Sequence, residues 1–315
     1  MLLVSATAYG QGQRAAFVAR FQDRLWLLDQ GGKPLRKLPV GLAGIGSVSI
    51  DSAARYGVGV SGRCAGDNAG ELREFETTKP ASRPLKLPRP LFPSSLPQDE
   101  REVFADPAVS PSGEVVAFVV RPCNPEHHLD AVEGAGVVAT YERSTGRAQV
   151  LAGGVTPDGV PAGYAWSPTW SDDGKLLFVN FETGFRVLRF SVGAMQAEPP
   201  VTMPDLWNSA VGWMGSRCVV YVEGKDRLAA ENNPRMVLNV FTGKARLLSD
   251  IVGSGGATFR GFQVRWPDAV LNDRGQISIY TFRTSGQHNR RTLGPGITAV
   301  QFLPGSPVSL PAFCR

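Results

Sequence analysis

The densest group of reactive side chains is Cys123-Asn-Pro-Glu-His-His-Leu-Asp130, where a thiol, two imidazoles and two carboxyls fall within eight residues. Such donors suit zinc, and two of the chain's 3 histidines are among them. A structural zinc site, however, takes four ligands at regular spacing, and no second Cys/His pair complements this one. The segment reads as a solvated insertion after a strand, and no metal is expected. Asp67-Asn-Ala-Gly-Glu71 lacks the alternating acidic ligands of a calcium loop and reads as a turn.

Other chemistries fail on context. Gly57-Val-Gly-Val-Ser-Gly62 satisfies the dinucleotide pattern, but Arg63-Cys-Ala-Gly-Asp-Asn-Ala-Gly70 follows it where a helix must begin. The Gly-Lys pairs at 32–33, 174–175, 224–225 and 243–244 are never followed by Ser or Thr, so there is no phosphate-binding loop. No serine stands in a nucleophile elbow. The expectation is no catalytic residue, no cofactor, and a protein that is not an enzyme.

Cys64, Cys123, Cys218 and Cys314 include no C-x-x-C spacing. Cys64 and Cys123 each follow the second strand of a cycle described below. A disulfide between them, one from either to Cys314, and buried free thiols all remain open. Met1–Ala8 ends in a small-x-small pattern but lacks a basic start and an apolar stretch of about 7–15 residues. It reads as a strand rather than the remnant of a signal peptide. The longest apolar run, Val115–Val120, is far short of the ~18 residues of a membrane-spanning helix.

These residues are carried on short β-type runs bounded by Gly, Pro, Asp or Asn, and Gly 36 with Pro 24 makes turns frequent. The best helical candidate is Pro97–Phe104. The runs recur as a cycle of four strands. Its closing strands fall near 35–39, 85–88, 147–151, 199–203, 245–249 and 290–293, a period of about 52 residues. Second halves align: Gly136-Val-Val-Ala-Thr-Tyr-Glu-Arg-Ser-Thr-Gly-Arg-Ala-Gln-Val-Leu151 matches Met236-Val-Leu-Asn-Val-Phe-Thr-Gly-Lys-Ala-Arg-Leu-Leu248. A four-stranded unit cannot bury both faces alone, and six around an axis can.

Val109-Ser-Pro-Ser-Gly-Glu114 and Trp170-Ser-Asp-Asp-Gly-Lys175, each followed by an apolar strand, resemble the repeat turn of the TolB-like β-propeller family. Ile50-Asp-Ser-Ala-Ala-Arg55 and Trp213-Met-Gly-Ser-Arg217 are weaker copies. The resemblance covers about a third of the chain, and its motif specifies a turn rather than a reaction. The expected fold is all-β, a single β-propeller over 1–315. Its six blades run near 1–40, 41–90, 101–152, 163–203, 208–250 and 256–294. The segment 297–315 is expected to close the ring against N-terminal strands.

Family resemblance implies a protein-interaction or scaffold domain, an accessory or structural subunit of a cell-envelope or membrane-associated complex, in the periplasm or outside the cell. The alternative is a propeller hydrolase or lyase working from the central channel. The net charge of +5 is concentrated in residues 201–315, which carry 13 Lys/Arg against 7 Asp/Glu. Arg217, Lys225, Arg227, Arg235, Arg260, Arg265, Arg290 and Arg291 form this sector, and most are expected to reach solvent from turns and strand ends. Without aromatic interleaving they do not make a nucleic-acid platform. The expected partner-binding residues are Arg217, Arg290 and Arg291, with Trp207 as an aromatic anchor. Binding there should weaken with salt.

Overall fold

A computed structural model of the chain describes residues 15–21, 24–30, 32–39, 45–61, 70–91, 101–123, 136–153, 165–181, 184–190, 209–224, 233–252, 262–273, 276–282, 288–304 and 310–315. The first unit holds β1 (Phe17–Phe21), β2 (Arg24–Leu28) and β3 (Pro34–Lys37). The second holds β4 (Ile45–Ile50), β5 (Tyr56–Ser61), β6 (Glu71–Glu76) and β7 (Ser82–Pro84). The third holds β8 (Arg101–Val109), β9 (Val115–Cys123), β10 (Val137–Glu142) and β11 (Arg147–Gly153). The fourth shows β12 (Ala165–Trp170), β13 (Leu176–Phe181) and β14 (Gly184–Arg189). The fifth holds β15 (Ser209–Met214), β16 (Cys218–Val222), β17 (Arg235–Asn239) and β18 (Ala245–Leu247), followed by the short helix α1 (Leu248–Val252). The sixth holds β19 (Phe262–Arg265), β20 (Asp268–Asp273), β21 (Gln276–Phe282) and β22 (His288–Thr292). Finally β23 (Ile297–Phe302) returns to pair antiparallel with β1, which closes the ring as expected.

Apolar packing explains the arrangement. Six larger clusters each span two successive units, and the last joins the sixth to the first. Second strands such as β9 and β13 are buried on both faces, hence their unbroken apolar runs. The result is a β-propeller. Six separate sheets are not what the hydrogen bonds show, however. The fifth and sixth units form one eight-stranded sheet through a parallel contact of β15 with β19, at Gly212↔Val264 and Trp213↔Arg265. A Cβ on Gly212 would lie 1.6 Å from the Val264 carbonyl oxygen, so this approach needs glycine.

Turns between first and second strands interlock around one end of the ring. The Ser52 hydroxyl donates to the Pro111 carbonyl at 2.7 Å, and the Asp173 N–H donates to Ser216 Oγ at 3.2 Å. In the two strong repeat turns, Ser110 Oγ accepts from the Val115 N–H and Ser171 Oγ from the Leu176 N–H. Asp51 does the same for the Tyr56 N–H, so the weaker copy keeps the bond with a different side chain.

Two expectations change. The helix over Pro97–Phe104 is not formed where it is described. Residues 101–104 open β8, because Phe104 packs edge-on to Phe118 in the core, and Asp106-Pro107 sits in a bulge rather than ending a helix. The last residues do not pair with N-terminal strands either. Cys314 is disulfide-bonded to Cys218 of the fifth unit, so neither Cys64 nor Cys123 pairs with it. Cys123 is itself disulfide-bonded. Met1–Ala8 lies outside the described residues.

Candidate partner-binding surface

The turns between third and fourth strands show what the fold requires at that place. In the third unit the Gly146 N–H donates to the Glu142 carbonyl at 2.9 Å, and Gly146 has φ 68°. In the fifth the Gly243 N–H donates to the Asn239 carbonyl at 2.9 Å, and Gly243 has φ 67°. Backbone geometry is the same and needs glycine at that one position. The side chains differ. Glu142 accepts from the hydroxyls of Ser144 and Thr145, while Asn239 Oδ1 accepts from the N–H groups of Phe241 and Thr242. Where the third unit presents Ser144, the fifth presents Phe241, which is 50% exposed.

Phe241 and Leu247, at 41%, are the exposed large apolar side chains among the described residues, and both belong to the hairpin of β17 and β18. Arg217, from the turn before β16, sets its guanidinium 5.1 Å from the Phe241 ring centroid and donates to the Arg315 carbonyl at 2.7 Å. The tail continues the surface. Asn239 Nδ2 donates to the Phe313 carbonyl at 3.0 Å, Arg246 lies 5.2 Å from the Phe313 ring centroid, and Cys314 is stapled beside Arg217 through Cys218. This basic and aromatic surface gathers Arg217, Phe241, Lys244, Arg246 and Arg315, while Leu247, next to Arg246 on β18 and opposite Met236, projects to the other face.

Of the residues expected from sequence, Arg217 is at its centre. Arg290 and Arg291 are exposed on the outermost strand β22 but project to opposite faces. Arg290 lies over Tyr280 at 5.5 Å, on the side of the fifth unit, and Arg291 lies toward Gly32 of the first unit. A strand sends adjacent side chains to opposite faces, so this pair does not form one patch. Outer strands β3, β7, β11, β18 and β22 all carry Arg or Lys, which suits strand edges kept from pairing with other chains. Trp207 lies outside the described residues, as do Lys225, Arg227 and Arg260.

Arg265 does not reach solvent. It is 9% exposed, with Nε 2.6 Å from Asp172 Oδ1 and an N–H to the Trp170 carbonyl, and it braces the sixth unit to the fourth. Arg235 is half-buried, and burial lowers its pKa. Among the described residues no group of three His, Cys, Asp or Glu could hold a metal; Asn124–Asp130 lies outside them. Asp268 is a buried carboxyl at the junction with the first unit. Burial pushes its pKa up to about 6, against the opposing hydrogen bonds of Thr281 and Gln30.

Phe241 and Leu247 were missed by sequence reasoning. The signal was present in the aligned second halves, where Ser144 stands opposite Phe241.

No family model matches the chain, and no curated protein matches it in sequence. Solved structures do. A prolyl endopeptidase is 12% identical with a TM-score of 0.51, covering 90% of this chain and 44% of that one. An oligogalacturonate lyase solved with manganese is 9% identical with a TM-score of 0.50, covering 85% and 70%. A TolB structure from Agrobacterium tumefaciens is 14% identical with a TM-score of 0.46, covering 74% and 76%. The chain thus spans less than half of the prolyl endopeptidase. At these identities the likeness concerns the β-propeller fold.

One expectation is corrected here. The chain was expected not to be an enzyme, yet solved structures that share its fold include enzymes that cleave peptides and oligogalacturonates. The fold gives no ground for excluding catalysis.

Proposed function

We propose that the chain is a protein-interaction propeller, a subunit or accessory of a cell-envelope or membrane-associated complex, and that it engages its partner through the outer hairpin of the fifth unit. The observation that carries this is the exposed Phe241 in a turn whose geometry, repeated in the third unit, asks only for glycine. An aromatic ring left in water beside cations is the composition of an interface anchor. The disulfides favour an oxidising compartment. Placing a photo-crosslinking amino acid at position 241 in cells tests the reading. A single protein adduct is expected from position 241 and none from Lys79, an exposed turn residue of the second unit. Equal labelling at both positions, or none at 241, would remove it.

A further inference from the structure

The tail and the hairpin share their anchoring groups. Asn239 holds the Phe241 turn with its Oδ1 and the Phe313 carbonyl with its Nδ2. Arg217 stacks on Phe241 and donates to the Arg315 carbonyl. Cys218, next to Arg217, holds Cys314, next to Arg315. Three of these bonds, Asn239 to Phe313, Arg217 to Arg315 and Cys218 to Cys314, have one end on the fifth unit and the other on the tail.

Its charge is one-sided. Over residues 215–218, 239–252 and 310–315 the side chains bring Arg217, Lys244, Arg246 and Arg315 against one carboxylate, Asp250. All four cations are exposed. Two lie over aromatic rings, Arg217 on Phe241 and Arg246 on Phe313, which fixes their heads without neutralising them. A neutral or basic segment would leave these charges facing apolar groups or each other. Carboxylates would satisfy them, with an apolar or aromatic side chain covering Phe241.

We infer that the hairpin of the fifth unit and the stapled tail form one composite docking surface for an acidic protein segment that also carries apolar side chains, complete only while the Cys218–Cys314 disulfide is closed. This rests on the proposed interaction function and adds the partner's chemistry and the part played by the tail. When the disulfide opens, the tail keeps only its hydrogen bonds and ring contacts. Those bonds, exposed or only partly buried, hold it weakly, so the tail frays, and in the frayed state Arg217 and Asn239 lack an ordered partner and Arg315 leaves the surface.

Binding of a random glutamate–tyrosine copolymer to the full chain tests it, with polyglutamate, polylysine and a glutamine–tyrosine copolymer as comparisons. Glutamate–tyrosine should bind tightest, polyglutamate more weakly, and the other two not measurably. Arg315→Gln, which keeps the disulfide, should weaken binding by about threefold, as for a rim charge. Cys314→Ser should weaken it by about tenfold or more. Urea unfolding of each variant establishes that the propeller is still folded at the assay temperature. If Cys314→Ser fails to fold, Arg315→Gln and a Phe313→Ala variant carry the test. Unchanged binding in the tail variants, with loss in Phe241→Ser, would overturn the composite surface while leaving the interaction function standing. Equal binding of the glutamine–tyrosine copolymer would overturn the acidic partner. No adduct at position 241 in cells would instead overturn the interaction reading itself.

Discussion

The third and fifth units are built on the same plan and use it differently. In the third, the turn after β10 looks inward: Arg143 lies over the Tyr56 ring at 3.5 Å and donates to the Gly113 carbonyl, so its cation joins one unit to the next. In the fifth, the matching turn looks outward: Arg217 lies over Phe241, a ring that is half in water. Tyr56 is buried, its pKa raised by burial and by the neighbouring Glu74. The two contacts pair the same kinds of group. What separates them is whether the ring belongs to a junction. An arginine over a buried ring between units is part of the fold; an arginine over an exposed ring leaves room for something else to cover it.

The largest expected effect lies where the fifth unit departs most from the third, at the staple to the tail. Cys218 and Cys314 are separated by 96 residues. Cross-linking that span restricts the unfolded chain, and removing a native disulfide typically costs about 2–5 kcal/mol. Cys314→Ser should therefore lower the urea midpoint by an amount equivalent to about 3 kcal/mol. A loss below about 1 kcal/mol would mean that the tail is held by its hydrogen bonds alone.

A second effect distinguishes the junctions. The third unit meets the fourth through a neutral bond, Trp170 Nε1–H to the Ala108 carbonyl at 2.9 Å. The sixth meets the first through Asp268, whose carboxyl burial pushes up to about 6 from 3.8. An acid whose pKa is raised on folding binds its proton more tightly in the folded state. Its contribution to stability is therefore most favourable at low pH and is lost as pH rises from about 4 through about 6. Asp268→Asn should gain on the order of 2 kcal/mol over the parent at pH 8, and the gain should vanish toward pH 4. A pH-independent difference in chemical unfolding would place the carboxyl in better-solvated surroundings.

Much of this was legible before the structure. Val115–Val120 and Leu176–Val179 announced strands buried on both faces, and the serine-led motifs announced the turns before them, though not the bonds from Ser110 and Ser171 to the residue five places on. Arg217 was singled out because it ends a strand turn in a basic sector. Arg290 and Arg291 were grouped by adjacency, whereas strand geometry separates them. Arg265 was placed in solvent because its partner, Asp172, is 93 residues away. The Cys218–Cys314 pairing was hidden for the same reason, since spacing does not say which units the tail will cross. Phe241 escaped because a phenylalanine beside a strand reads as core, and only comparison with Ser144 shows that the turn has no use for it.

A smaller effect tests the arginines. Arg143→Ala removes a ring contact between units and a hydrogen bond within the third unit, and should cost about 1–2 kcal/mol. Arg217→Ala also removes a ring contact and a hydrogen bond, to Phe241 and to the Arg315 carbonyl, but both are exposed, and it should cost less than about 1 kcal/mol. Equal losses would erase the distinction between junction and surface.

The smallest expected effect is also the most direct test. Phe241→Ser gives the fifth unit the side chain that the third unit carries at the same place. Both glycines hold the same φ, and nothing lies within 4 Å of a Cβ built on either, so neither turn is shaped by packing above it. Half of the Phe241 ring is already in water, and Arg217 retains its bond to the Arg315 carbonyl when the ring is gone. The change should therefore move stability by no more than about 0.5–1 kcal/mol, as for surface substitutions. The reciprocal Ser144→Phe should be as mild, losing one weak hydroxyl bond to Glu142 at 3.4 Å. If Phe241→Ser instead costs about 3 kcal/mol, the range of a core aromatic truncation, the ring is a structural member. The two turns would then not be equivalent, and the reason for assigning the fifth unit an interface would be gone.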